Sequence, residues 1–169
     1  MSEHVRHVAI QSGFLMVLRQ GDDVFARLEE LMLAEGIPSA SITGFGFVSH
    51  VRFGYFDFER GDYDPRDFAD LEITGLTGSL AWMEGRPSIH AHASGADGEF
   101  TVVGGHALGM VVGRGSFEIT IVVHPLRLER IREPSIGANV LQLAPRVDSE
   151  PSQRERVLQA APAAGYCIL

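Results

Sequence analysis

Cysteine is almost absent from this chain. Cys167 stands alone, so no intrachain disulfide can form. Stability has to come from a packed core, which 169 residues in a single domain can supply. No apolar run is long enough to span a bilayer as a helix. The opening residues Met1-Ser2-Glu3-His4 lack a basic stretch followed by an apolar one. No secretory leader is therefore expected, and the cytoplasm is the expected location. Basic residues are scarce too, at 14 against 22 acidic ones, for a formal net charge of −8. Nonspecific affinity for nucleic acid comes mainly from basic side chains on phosphates. With no dense basic run, direct DNA binding is not expected. Two catalytic signatures are missing. There is no G-x-S-x-G elbow, and the run Gly104-Gly105-His106-Ala107-Leu108-Gly109 fits neither a Walker motif nor a dinucleotide fingerprint.

What is present is a run of strand-like segments around one helix. Overall composition is that of a folded domain, 45% hydrophobic and 21% charged. Residues 5–18 read as extended. Gly21 breaks that pattern, and Asp22 and Asp23 offer N-cap chemistry. Val24, Phe25, Leu28, Leu31 and Met32 then recur at helical spacing, until Gly36 and Pro38 stop the helix. Beyond Ser39, extended segments are predicted at Ala40–Thr43, Phe45–Phe58, Ala69–Thr74, Gly78–Met83, Ser88–Ala93, Glu99–Val103, Leu108–Val112, Phe117–His124 and Leu126–Arg132, with Asn139–Leu143 as a last strand. Glycines inside them, as in Thr43-Gly44-Phe45-Gly46-Phe47, suggest bulges or close backbone approach. The polar stretch Gly61–Asp67, with Pro65, reads as a connecting loop. One strong helix and many strands without regular alternation predict an α+β domain with a mainly antiparallel sheet and one or two flanking helices. The apolar run Phe117–Val123 predicts burial on both faces or at a subunit interface. After Pro145 the chain turns polar. The domain is therefore expected over 1–145, with 146–169 an appended tail, partly disordered or packed on a neighbouring subunit.

The chemistry concentrates in three histidines. His90 and His92 lie two apart, so on a strand they leave the same face. A hairpin returning through Thr101–His106 can bring His106 beside them. Gly104 and Gly105 allow a ligand or another backbone to come close. Three imidazoles suit zinc or a similar borderline metal and leave a coordination position open. A hydrogen-bonded polar cluster near a subunit interface would use the same residues. Catalysis on such a metal would also need an acid or base, and Glu72, Glu84, Asp97 and Glu118 are present with no spacing that selects among them. His4, His7, His50 and His124 are read as ordinary surface or strand-end residues, Glu118 as structural, and Cys167 as an ordinary free thiol.

Several motifs stand in a telling order: Gly21-Asp22-Asp23-Val24, Gly44-Phe45-Gly46-Phe47-Val48, Leu71 through Gly78, Pro87-Ser88-Ile89-His90-Ala91-His92, Gly104-Gly105-His106, and Gly115-Ser116-Phe117-Glu118-Ile119-Thr120. Together they resemble the PPC domain (plants and prokaryotes conserved, also the domain of unknown function 296) in its stand-alone prokaryotic form, over residues 6–144. The resemblance implies an antiparallel sheet flanked by helices, a homotrimer, and a zinc ion on His90, His92 and His106. In plants the domain follows AT-hooks in nuclear DNA-binding proteins and contacts partners through a Gly-Arg-Phe-Glu-Ile-Leu segment. Here that segment lacks the arginine and the final leucine. No AT-hook exists either. Gly85-Arg86-Pro87 follows Glu84 between predicted strands and reads as a turn. The expected protein is a trimeric module with a three-histidine metal site, binding a small molecule or a protein partner. A zinc-dependent enzyme acting on a small molecule, or a transcription-associated protein, are the alternatives.

Overall fold

Alternation of apolar and polar side chains sets most of the chain into strands in the computed structural model, which describes residues 6–143. The tail at 146–169 with Cys167, and His4, lie outside the described residues. The order is β1 (His7–Ile10), β2 (Gly13–Arg19), α1 (Val24–Glu35), β3 (Ser39–Asp57), β4 (Asp62–Met83), β5 (Arg86–Ala96), β6 (Val102–His124), β7 (Glu129–Glu133) and β8 (Ala138–Gln142). A single, mainly antiparallel sheet domain results, with one helix among the described residues. The one parallel contact among the described residues is a bridge between Trp82 and Glu129.

Four long strands return on themselves. β3 pairs with β4 and β6, β4 with β5, and β5 with the first part of β6. Along its second half β6 takes β2 as its neighbour, with Gly13–Arg19 opposite Val122–Ser116. β1 edges β2, and the β7–β8 hairpin extends from the end of β4. Period-2 alternation accounts for the faces of β6. Phe117, Ile119 and Ile121 are buried, while the alternating Glu118 and Val122 point outward. The expectation of burial on both faces is replaced here by one core face and one outer face. The outer face of β2, β3 and β6 carries exposed Leu15, Phe45, Phe47 and Val122.

The helix follows its predicted limits. The Asp23 side chain accepts the Ala26 amide, and Gly36 closes the C-terminus in the left-handed conformation at φ 60°. Val24, Leu28, Leu31 and Met32 are buried on the core side, each contributing about 1.5–3 kcal/mol of apolar burial. Asp22 takes a different role. Its buried carboxylate accepts from Arg6 Nε, Arg27 Nε and the Arg19 amide, at 2.9 to 3.2 Å.

Strand boundaries differ from the sequence reading in several places. The short segments predicted between Ala40 and Met83 merge into β3 and β4, and Leu108–Val112 and Phe117–His124 merge into β6; on β3 the glycines Gly44 and Gly46 form a bulge rather than a break, and on β4 the register shifts between Ile73 and Gly75. Residues 62–67 are strand, not loop, with Pro65 opposite Gly54. Polar and aromatic cross-strand pairs hold that extension: Arg52 and His50 on Asp67, and Phe56 on Tyr63 with ring centres 5.0 Å apart. Residues 97–101 form a turn rather than a strand, with Asp97 Oδ1 accepting the Glu99 and Thr101 amides at 2.9 Å. The strand expected at 126–132 is confined to Glu129–Glu133, after Pro125 interrupts the chain. The turn expected at Gly85-Arg86-Pro87 lies one residue earlier. Glu84 and Gly85 both hold positive φ, while Arg86 and Pro87 already belong to β5.

Candidate metal centre

Strand periodicity and register build the site. His90 and His92 leave the same face of β5, and His92 lies directly across from His106 on β6. The pairing is close because Gly104 has no side chain. A Cβ there would stand 2.5 Å from the Ala93 carbonyl oxygen, and one on Gly105 would stand 3.2 Å from that of Gly54. What approaches these glycines is neighbouring backbone. Gly78 does the same on the other side of β5, where a Cβ would meet the His90 carbonyl at 2.4 Å.

The three imidazoles converge. One ring nitrogen from each lies within 4.8 Å of the others. The Nε2 atoms of His90 and His92 are 3.2 Å apart. Two nitrogens held about 2.0–2.1 Å from a tetrahedral zinc lie about 3.3 Å apart, so the donor set and its spacing fit such an ion. The ring centres of the three pairs are 4.9 to 5.3 Å apart. His90 and His106 are half-buried and His92 is exposed. Burial, with the charge of nearby Arg130 and the neighbouring imidazole of His92, lowers the pKa of His90. Burial first, then His90, His92 and Arg130, press His106 down to about 4. These two rings are thus neutral near pH 7, the form that offers a lone pair to a metal.

A cavity of about 220 Å³ adjoins the cluster, lined among others by His90, His106, Tyr63, Asp62, Arg130 and Asn139. Tyr63 stacks on His106, with centres 4.6 Å apart and planes 24° from parallel. Arg130 is 3% exposed. It donates to the backbone and hydroxyl oxygens of Ser79 and Ser88, tying β7 to β4 and β5. On the other side, His92 borders a shallower depression with Leu76, Thr77 and Ala93.

All three predicted ligands therefore come together, and the other described histidines do not join them. His7 packs on Phe14, His50 bonds Asp67 and His124 bonds Ser41. None of Glu72, Glu84, Asp97 and Glu118 lines the cavity. The carboxylate found there is Asp62. Sequence reasoning missed Asp62, Tyr63 and Arg130, the first two because Pro65 made their segment read as a loop. Arg130 carried no local signal.

The family model for the Plants and Prokaryotes Conserved (PCC) domain matches residues 6–125. The chain belongs to this family. No curated protein matches it. Among solved PCC-like structures, the "Putative DNA-binding protein" from Ralstonia eutropha JMP134 is 50% identical, covering 82% of this chain and 96% of its own, with a TM-score of 0.80. The plant- and prokaryote-conserved (PPC) protein of Pyrococcus horikoshii is 26% identical over 76% of this chain and 89% of its own, TM-score 0.70. A metal-containing protein from Archaeoglobus fulgidus is 28% identical over 83% of this chain and 99% of its own, TM-score 0.71. No helix among the described residues of this PCC chain is long and apolar enough to cross a membrane.

Proposed function

We propose that this PCC-domain protein is a homotrimeric, cytoplasmic metal-binding module in which His90, His92 and His106 hold a zinc ion beside a small ligand cavity. The convergence of the three imidazoles carries the reading. A metal-containing relative of similar fold supports it. Three protein ligands leave a fourth position open, and zinc so held supplies Lewis acidity there. The exposed apolar side chains Leu15, Phe45, Phe47 and Val122 support burial of this outer face between subunits. Competition with a chromophoric chelator tests the metal site. The triple alanine variant at 90, 92 and 106 is expected to lose stoichiometric zinc, and its retention would overturn the assignment.

A second reading, a metal-dependent enzyme acting on a small molecule, is favoured by Asp62, which puts a carboxylate in the cavity next to His90 and His106. A panel of hydrolase and lyase substrates, run with wild type and Asp62→Asn, tests it. Turnover that falls in the variant with zinc still bound supports the enzyme; a silent panel supports the binding module. The DNA-binding description of the Ralstonia relative transfers poorly to a chain of net charge −8.

A further inference from the structure

Among the described residues, Arg130 is a buried cation without a counter-charge. Its four hydrogen bonds all go to neutral oxygens, on Ser79 and Ser88. No acidic side chain among the described residues forms a salt bridge with it. Its Nε–H is enclosed with no acceptor, and no other buried side-chain nitrogen or oxygen among the described residues is left so. Buried polar groups are almost always paired, and an unpaired one is costly. Arg130 is also among the residues lining the cavity that His90 and His106 border.

The metal sharpens this imbalance. A dication on three neutral imidazoles adds two positive charges beside Arg130. The cavity lining also includes Arg132, and among the described residues Asp62 is its one acidic residue. Two guanidiniums, a dication and one carboxylate leave a net three positive charges around a space of about 220 Å³. We propose that this cavity binds a small carboxylate, held by Arg130 next to the metal. The proposal rests on the three-histidine metal reading. The guanidinium fork suits planar carboxylates. The limited volume, with Phe56, Ile89 and Ala138 on its walls, suits a short organic body.

The test uses full-length protein loaded with cobalt(II), whose visible bands report changes at the open coordination position. Acetate, propionate and lactate are titrated in, with inorganic phosphate as comparison. Carboxylates are expected to move the cobalt bands and, in zinc-loaded wild type, the Arg130 Nε–H resonance. Arg130→Met is expected to keep one metal per chain and to weaken carboxylate binding at least about tenfold. Since Arg130 also joins three strands, the wild-type resonance stands as an independent readout should the variant fail to fold. A protein holding one metal per chain whose bands and Arg130 signal ignore carboxylates overturns the proposal and leaves the metal site standing. Preference for phosphate, or unchanged affinity in a folded Arg130→Met, overturns it as well. A protein that takes up no metal removes both the metal reading and this proposal.

Discussion

Asp22 shows how much one buried carboxylate can hold in place. Burial pushes its pKa up, but hydrogen bonds from Arg6, the Arg19 amide and Arg27 outweigh that and leave it below the usual carboxylate value. A lowered folded pKa means stability that is complete above the unfolded value of about 3.9 and is lost as pH falls through the folded one. Asp22→Asn is expected to cost about 2 kcal/mol at pH 7, less than a fully buried pair because both arginines remain about a third exposed. Urea melts at pH 7 and pH 3 check this. The gap between wild type and variant should narrow at the lower pH, and a gap that stays constant would refute the ionic origin. At the same scale, His90 and His92 were legible because a period of two is local. Arg130 was not, since its burial depends on Ser79 and Ser88, 51 and 42 residues away along the chain.

Among the elements, the β5–β6 pair decides whether the imidazoles meet. Gly104 sits two residues before His106, and its missing side chain lets the two strands lie in register. Gly104→Ala places a methyl group on the Ala93 carbonyl and is expected to destabilise the fold by about 1–3 kcal/mol. It should also reduce metal uptake, because the register of His92 and His106 shifts with it. Thermal unfolding and metal content check the two effects, and an unchanged variant would refute the close approach. Helix α1 was readable from residues 22 to 38 because its caps and apolar stripe are local chemistry. The lengths of β3 and β4 were not. Their far ends are held by cross-strand pairs such as Arg52 with Asp67 and Phe56 with Tyr63, which exist only once the hairpin has formed.

For the whole molecule, the closed path through β3, β4, β5 and β6 could not be inferred from segment patterns, because it depends on each of the four strands finding two partners. The antiparallel class and the single domain were legible. The outer face of β2, β3 and β6 carries the assembly prediction. Wild type should sediment as three chains, and a Phe45→Asp, Phe47→Asp double variant as one. A wild-type monomer would contradict the trimer. The net charge of −8 leads to a further expectation, that duplex DNA is not retarded by micromolar protein at about 0.15 M salt. A salt-sensitive shift would reinstate a nucleic-acid role.

Metal content decides most directly whether the three histidines are ligands or a hydrogen-bonded cluster. Elemental analysis of untagged protein prepared without chelator, with His92→Ala alongside, should find about one zinc per chain in wild type and a loss of it in the variant. Absence of metal from wild type even after zinc is offered, or equal zinc in both proteins, would contradict the three-histidine centre.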